Sequence, residues 1–183
     1  MSNLRAKILH RIHGTGRGSV FISKDFLDLG SRAAIDQALS RLVKDGSLRR
    51  LGRGLFDYPR VSPKLGVLSP DADQVAKAVA RKRGGRVQRS GAFAANALGL
   101  STQVPGKPVY VTTSASGKVR AGNQTLTFKR VAPKRMAARD SVTGSVLQAL
   151  DFVGRDGVPD AVVNRLRSKL SASEKRRLLK ESR

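Results

Sequence analysis

The feature that most restricts the fold of this chain is an amphipathic segment followed at once by a basic hairpin pattern. Ser31 is a favourable helix N-cap and Gly46 a favourable C-terminal stop, so their spacing predicts a helix over residues 32–45. The apolar residues between them recur at helical spacing and form one stripe, made of Ala34, Ile35, Ala38, Leu39 and Leu42, with Val43 at its edge. One face of this helix is therefore expected to pack into a core while the other faces solvent.

The solvent-facing side of the same helix is rich in polar groups, which are supplied by Arg32, Asp36, Gln37, Ser40, Arg41 and Lys44. After Gly46 the chain continues as Leu48-Arg49-Arg50-Leu51, turns at Gly52-Arg53-Gly54 and resumes as Leu55-Phe56-Asp57-Tyr58. Two short runs around a glycine-containing turn predict a β-hairpin. Its basic residues lie on the first strand and at the tip.

Shorter elements come before this helix. Apolar residues recur every fourth position near the start and predict a helix over about residues 3–13. A glycine-rich loop and a short apolar strand over residues 20–22 follow. Ser23 is then expected to cap a single short helix that Gly30 ends. In this order the elements are typical of a winged helix-turn-helix, which we place over residues 1–60.

A winged helix of this kind would bind duplex DNA through two of its elements. The second helix of the pair enters the major groove, and the hairpin contacts the backbone or the minor groove. Arginine and glutamine side chains can read base edges, whereas Arg49, Arg50 and Arg53 on the hairpin need only reach phosphates. The alternative is an ordinary amphipathic helix whose charged face is merely solvated.

The net charge of the chain indicates an anionic partner. In 183 residues there are 36 Lys and Arg against 13 Asp and Glu, a net charge of +23. Cations at this density repel one another until counterions or phosphates neutralise them. DNA, RNA, an acidic protein and an anionic membrane surface are the candidate partners, beside a generically basic surface. The net charge is +7 over residues 1–60, +12 over residues 61–140 and +4 over residues 141–183.

The rest of the chain is expected to form a second domain. Proline, serine and glycine without helical period mark a linker over residues 61–70. In residues 71–183 we predict helices from Ala72 to Gly84-Gly85 and over 90–98, strands over 108–113, 118–120 and 125–128, and helices over about 142–153, 159–170 and 172–181. The predicted fold class is α+β, with an N-terminal winged helix-turn-helix followed by a mixed α/β domain with a helical C-terminus.

No pattern in the sequence indicates catalysis or metal binding. The chain has no cysteine, which excludes thiolate nucleophiles and cysteine-ligated metal sites. His10 and His13 have an HxxH spacing, but suitable further ligands are not close to them in the sequence. The run Gly14-x-Gly16-x-Gly18 follows a helix rather than a strand, so it fits a simple loop better than a phosphate-binding one. We therefore predict a protein that is not an enzyme and has neither cofactor nor metal.

The aromatic content and the hydropathy narrow the choice of partner. The chain has six Phe and two Tyr, whereas proteins that bind RNA or single strands generally expose aromatic platforms. Phe21, Phe26, Phe56 and Tyr58 are better explained as the core of a small winged domain. No apolar run approaches the roughly 18 residues of a membrane span, and the first residues lack the apolar region of a signal peptide. We therefore expect duplex DNA as the partner, no membrane association and a cytoplasmic location.

Two parts of the sequence resemble the AbiEi-type antitoxins of abortive-infection (type IV) toxin–antitoxin systems. Within residues 25–59, the helix and hairpin motifs are similar to the N-terminal winged helix of that family. Residues 90–105, together with Val109–Thr112 and residues 122–125, resemble its second domain. The two motifs occur in the order typical of the family, and the resemblance covers about residues 5–135.

The resemblance implies a DNA-binding antitoxin that binds inverted repeats in its own promoter, represses its own operon and counteracts a cognate nucleotidyltransferase-like toxin. The residues it implies for DNA binding are Ser31, Arg32, Gln37, Ser40, Arg41 and Lys44 in the groove and Arg49, Arg50 and Arg53 on the wing. Toxin neutralisation is attributed to the second domain in this family, and a monomeric solution state is compatible with the sequence. Two alternatives stay open, namely a winged-helix transcription regulator without a toxin partner and an RNA-directed protein.

Overall fold

The chain folds into short helices and short strands that are mixed along the sequence. The fold class is therefore α+β, as predicted. The computed structural model describes residues 4–102, 106–133, 136, 141–154 and 157–181. Residues 103–105, which the antitoxin resemblance includes, lie outside the described residues. The chain forms two units, one of Met1–Gly84 with Val119–Thr125 and the other of Gly85–Lys118 with Leu126–Arg183.

The first unit begins with a helix and a small sheet. Its elements are α1 (Leu4–Thr15), β1 (Val20–Phe21), a 3-10 helix (Ser23–Phe26), α2 (Arg32–Lys44), β2 (Arg49–Gly52), β3 (Leu55–Asp57), β4 (Val61–Ser62), β5 (Gly66–Val67) and α3 (Ala72–Arg83). Strands β1, β3 and β2 form an antiparallel sheet in that order, so the hairpin predicted after α2 is confirmed. The segment expected as a linker, residues 61–70, contains the antiparallel pair β4 and β5.

Helix α2 has the cap, the stop and the buried stripe that its sequence predicts. The Ser31 hydroxyl accepts a hydrogen bond from the backbone N–H of Ala34 at 3.3 Å, and Gly46 has a φ of +77° just after the helix. Four residues of the stripe are buried in one core cluster, and Ala34 is half-buried outside it. The cluster contains Ile8, Ile12, Phe21, Phe26, Ile35, Ala38, Leu39, Leu42, Leu48 and Phe56. Burial of these side chains drives α1, α2 and the sheet together. Tyr58 packs against the cluster and is partly buried.

The short helix before α2 differs from the prediction. Residues Ser23–Phe26 form a single turn of 3-10 helix, and Ser23 lies inside that turn rather than before it. The Asp25 carboxylate accepts a hydrogen bond from the backbone N–H of Ile22 at 3.0 Å, while the Ser23 side chain is buried. The predicted Ser23 cap is wrong because the turn begins at Ser23 itself and its side chain is buried. The Asp25 carboxylate instead accepts from the N–H of Ile22, the residue before the turn.

Helix α3 follows the small hairpin and closes the first unit. The Asp71 carboxylate caps its N-terminus by accepting from a backbone N–H at 3.0 Å, and Gly84 ends it with a left-handed φ of +68°, as predicted. Arg81 in the last turn donates to the Asp25 carboxylate at 3.2 and 3.1 Å and to the carbonyl oxygen of Val20 at 3.1 Å. These hydrogen bonds attach α3 to the 3-10 helix and to β1.

The rest of the chain holds the larger sheet and the C-terminal helices. These elements are β6 (Val87–Arg89), α4 (Gly91–Ala97), β7 (Val109–Thr112), β8 (Gly117–Ala121), β9 (Gln124–Arg130), α5 (Ser141–Val153), α6 (Asp160–Lys169) and α7 (Ala172–Glu181). The sheet order is β6-β7-β9-β8, with β6 antiparallel and β9 parallel to β7. The turn predicted between β8 and β9 lies at Gly122, which has a φ of +59°.

Small residues let α4 and α5 approach each other closely. Ala94 and Ala95 are fully buried with Ala149 of α5. A β-carbon on Gly91 would lie 2.9 Å from the carbonyl oxygen of Gln148, so only glycine fits at this position without a shift of the backbone. The close contact of the two helices thus depends on residues without bulky side chains.

The three C-terminal helices share a small apolar core of their own. Val146, Val162, Leu166 and Leu170 are buried in it, and Leu178 packs against it from α7. The three helices predicted for residues 142–181 are therefore confirmed. In the described part of the chain, no helix combines the length and the apolarity that a membrane crossing requires.

Candidate functional site

The exposed face of α2 presents the polar residues that the sequence predicts there. At about 100° per residue, Gln37, Ser40 and Lys44 share the side opposite the buried stripe, whereas Arg32 and Arg41 flank that side on opposite edges. Gln37, Arg41 and Lys44 are exposed, and Ser40 is half-buried. None of the three exposed side chains has a hydrogen-bonding or ionic partner among the described residues, so their polar groups face solvent.

The N-terminus of α2 combines a cap with an ion pair. Ser31 is engaged as the N-cap, and the Nε of Arg32 donates to the Asp36 carboxylate one turn later at 2.8 Å. Partial burial raises the pKa of Asp36, but the hydrogen bond and charge of Arg32, together with the charge of Arg50, contribute to a net lowering of that pKa. The positive charge of Arg32 is thus partly balanced on the helix itself.

The three arginines of the β2–β3 hairpin occupy different environments. Arg49 is directed inward, where its Nε and Nη2 donate to both oxygens of the Asp57 carboxylate at 3.0 and 2.6 Å. The same Nη2 also donates to the carbonyl oxygen of Leu68 at 2.9 Å. Arg50 and Arg53 are exposed, and the Arg50 guanidinium lies 5.2 Å from the centre of the Phe56 ring. Only the last two therefore present their guanidinium groups outward at the hairpin.

The Arg49–Asp57 pair has a signal in the sequence. The two residues stand at equal distances from Arg53, the centre of the predicted turn, and in the sheet Arg49 is paired with Asp57 across the hairpin. Oppositely charged side chains directly across an antiparallel pair stabilise one another. The side chain of Asp57 is 1% exposed, so its carboxylate requires the guanidinium as a partner.

A basic residue of α3 reaches the tip of the hairpin. The ammonium of Lys82 donates a hydrogen bond to the backbone carbonyl of Arg53. A β-carbon on Gly54 would lie 3.5 Å from the same ammonium nitrogen. Lys24 donates in turn to the carbonyl oxygen of Lys82 at 3.4 Å. The run Arg81-Lys82-Arg83 is evident in the sequence as a cluster, but its position beside the hairpin follows from the packing of α3.

Lys82 is the centre of a group of cations from three elements, which we call the basic cluster: Arg32 of α2, Arg53 of the hairpin tip, and Lys82 and Arg83 of α3. Burial lowers the pKa of Lys82, and the nearby charges of Arg53, Arg83 and Arg32 lower it further. The positive charges of the cluster repel one another, so an anion bound beside Lys82 would be stabilised. Chemically, the cluster and the exposed face of α2 can bind phosphate groups and donate hydrogen bonds to an anionic polymer.

The described residues offer little for metal chemistry. Across residues 4–102, 106–133, 136, 141–154 and 157–181, no group of three or more His, Cys, Asp or Glu side chains is placed to hold a metal ion. His13 instead lies beside Tyr58, with the two ring centres 5.2 Å apart. The HxxH spacing on α1 thus places one of its histidines against the edge of the core.

Fold and site together define a mixed α+β protein with a basic surface built from α2, a hairpin tip and the end of α3. The chain belongs to a family of unknown function, DUF6088, which matches residues 7–178 and so spans both units. No curated protein matches the chain.

Proposed function

We propose that the protein binds duplex DNA through its first unit, which acts as a winged helix-turn-helix. In this proposal α2 is the recognition helix in the major groove and the β2–β3 hairpin is the wing. The observation that carries the proposal is that Lys82 of α3 donates to the backbone carbonyl of Arg53 at the hairpin tip, where the charges of Arg32, Arg53 and Arg83 act on it. If the charged face of α2 were merely solvated, there would be no reason for cations of the hairpin tip and of α3 to lie near one another.

The exposed face of α2 supplies the sequence-reading contacts. Gln37 and Arg41 are exposed and one helical turn apart, so both side chains can reach base edges in one groove. A glutamine can bind adenine and an arginine can bind guanine with two hydrogen bonds each. Lys44 lies one turn further along and suits the phosphate backbone. Ser31 and Ser40 contribute less in this proposal, because Ser31 caps the helix and Ser40 is half-buried.

The hairpin and α3 supply the contacts that do not depend on sequence. Arg50 and Arg53 present their guanidinium groups outward, and Arg83 adds charge from the end of α3. Lys82 acts chiefly by holding the hairpin tip through the carbonyl of Arg53. Arg49 has a structural role, because both of its donating nitrogens serve the buried Asp57 carboxylate. Such phosphate contacts position the protein on DNA without selecting a base sequence.

A narrower proposal rests on the resemblance of residues 25–59 and 90–125 to AbiEi-type antitoxins. In it, the protein represses its own operon by binding inverted repeats in the promoter and counteracts a nucleotidyltransferase-like toxin. It acts as a binding protein without catalytic activity of its own. If operator binding is found without any protection against a toxin, a transcription regulator without a toxin partner is the better description.

The test is a binding titration of the full chain against its own upstream duplex, a shuffled duplex and a matched RNA at two salt concentrations. We expect the upstream duplex to bind most tightly and to keep its advantage over the shuffled duplex at the higher salt. Specific complexes typically exceed non-specific ones by a factor of about 10³ or more. Equal binding to all three nucleic acids, lost together as salt increases, would reduce the protein to a polycation and contradict the proposal.

A further inference from the structure

The three C-terminal helices leave an apolar groove open between α6 and α7. Its volume is about 500 Å³, and Leu150 of α5, Val163 of α6 and Leu178 of α7 are among the side chains that line it. At its margin Val158 is 42% exposed and Leu179 is 68% exposed. Exposed apolar side chains around a concave apolar surface are typical of an interaction site.

The spacing of the lining residues gives the groove the form of a helix-binding site. Val163 and Arg167 on α6 and Leu170 just after it follow one another at i, i+4 and i+7. On α7 the lining residues lie three and four positions apart. The lining of α6 therefore extends over about two helical turns, or roughly 10 Å at 1.5 Å per residue. A groove of this shape accepts the apolar face of another helix, whose anchors recur at the same spacing.

The charges at the groove indicate the sign of the partner. Arg167 and Lys175 lie among its lining residues, one on each helix, and neither has an ionic partner within the described ranges. A second copy of this chain is an unfavourable occupant, because 36 Lys and Arg against 13 Asp and Glu make two copies repel one another. An occupant with carboxylates on both sides of an apolar stripe is complementary to the two cations.

We propose that the groove between α6 and α7 docks an amphipathic helix of another protein, with apolar anchors at i, i+3, i+4 and i+7 and acidic residues beside them. The anchors fill the space lined by Leu150, Val163 and Leu178, and the acidic residues pair with Arg167 and Lys175. This interaction involves only the second unit and does not depend on the proposed DNA binding.

The probe is a labelled synthetic helix of 16 residues with leucine at the anchor positions and glutamate beside them, titrated against the full chain without nucleic acid. A shuffled peptide of identical composition is the control, because it keeps the charge and removes the apolar stripe. We expect the shuffled peptide to bind at least tenfold more weakly. Equal affinities of the two peptides would mean attraction by net charge alone and would overturn the proposal.

Variants of exposed residues then locate the peptide. Leu179→Asp and, separately, Arg167→Glu are expected to weaken the amphipathic peptide at least tenfold, with Val158→Asp as a second apolar variant. Lys180→Glu is the matched control, because Lys180 lies on the opposite side of α7 at helical spacing, and it should change affinity less than twofold. Circular dichroism confirms that each variant is folded. Equal losses in Leu179→Asp and Lys180→Glu would contradict docking in the groove.

Lipid is the competing occupant, and it is tested in parallel. Laurate and vesicles of phosphatidylcholine and phosphatidylglycerol at 3:1 are titrated against the full chain and against Leu179→Asp. We expect neither lipid to displace the bound peptide. If lipid binds, loses affinity in Leu179→Asp and displaces the peptide, the groove is a lipid site and the proposal is wrong.

Discussion

Among single residues, Asp57 is a buried carboxylate that needs a cationic partner. Its side chain is 1% exposed, and both carboxylate oxygens accept hydrogen bonds from Arg49. A buried carboxylate without a partner loses the solvation of its charge and gains nothing in return. The orientation of Arg49 is therefore set by the stability of the sheet rather than by any bound ligand.

We predict that Arg49→Met lowers the free energy of unfolding by about 3 kcal/mol. This is the lower end of the loss expected when one partner of a buried ion pair is removed, because the Arg49 side chain is 32% exposed. Urea denaturation measures this loss. The double variant Arg49→Met/Asp57→Leu should recover most of it, because no charge is then left buried. An Arg49→Met variant with full stability and weakened DNA binding would instead identify Arg49 as a phosphate contact.

If the first unit binds DNA as proposed, Lys82 should make that binding depend on pH in the alkaline range. Its pKa in the folded chain is lowered from the ordinary 10.5, first by burial and then by the charges of Arg53, Arg83 and Arg32. Between the two pKa values the unfolded chain binds more protons, so stability rises with pH across this window as Lys82 loses its proton. In the proposed complex the DNA phosphates favour the charged form of Lys82, so over the same window we expect the affinity for DNA to fall.

We expect the affinity of the natural chain for DNA to decrease as the pH rises from neutral towards about 10, and to decrease less in Lys82→Arg. An arginine keeps the charge and the hydrogen bond to the Arg53 carbonyl, but does not lose its proton in this range. Fluorescence anisotropy at constant ionic strength provides the measurement. All other lysines are common to both proteins, so identical pH profiles would show that Lys82 does not contribute.

At the scale of elements, two substitutions of Ser31 distinguish the stability of α2 from its proposed DNA binding. Ser31→Ala removes the N-cap bond to the N–H of Ala34 and should cost about 1 kcal/mol in thermal or urea unfolding. Ser31→Asp keeps the cap and adds a negative charge beside the basic cluster, so it should retain stability while weakening DNA binding. Parallel losses of stability and affinity in both variants would mean that the interface does not include this helix end.

In the proposed function, substitutions in α2 and in the β2–β3 hairpin should have different effects on DNA binding. Arg41→Ala is expected to reduce discrimination between operator and shuffled DNA by about 1–3 kcal/mol, the value of a bidentate base contact. Arg53→Ala should weaken all duplexes alike and flatten the salt dependence by about one unit. Titrations of both variants on both duplexes measure the difference. Equal losses of Arg41→Ala on operator and shuffled DNA would rule out base reading by that arginine.

For the whole molecule, the net charge of +23 must be distinguished from the charge that acts at the interface. The logarithm of the binding constant falls with the logarithm of salt concentration by about 0.9 for each phosphate that is neutralised. We predict that Arg53→Ala/Arg83→Ala reduces this slope by nearly two units. The control Arg176→Ala/Lys180→Ala removes the same charge from α7 and should leave the slope unchanged. Equal effects of the two double variants would mean that charge acts without regard to position.

Much of the local structure follows from residues that are close in the chain. Ser31 and Gly46 set the ends of α2, Gly84 ends α3, and the spacing of the apolar residues selects the buried face. These features depend on backbone hydrogen bonds within a turn and on side-chain periodicity, which are both local. Local patterns placed the cap wrongly at Ser23, because the Ser23 side chain is buried and the Asp25 carboxylate instead accepts a hydrogen bond from the backbone N–H of Ile22.

The functional roles of the basic residues depend on contacts between distant parts of the chain. Arg49 and Arg50 are neighbours with the same chemistry, yet one is held by a buried carboxylate across the hairpin and the other is exposed. Lys82 reaches Arg53, 29 positions earlier, only because α3 packs in the first unit. Residue type and spacing thus give the helices, the strands and the net charge of the chain, since these depend on composition and on neighbours along the chain. Which cations are free to meet a partner depends on packing, because burial and pairing are properties of the folded chain.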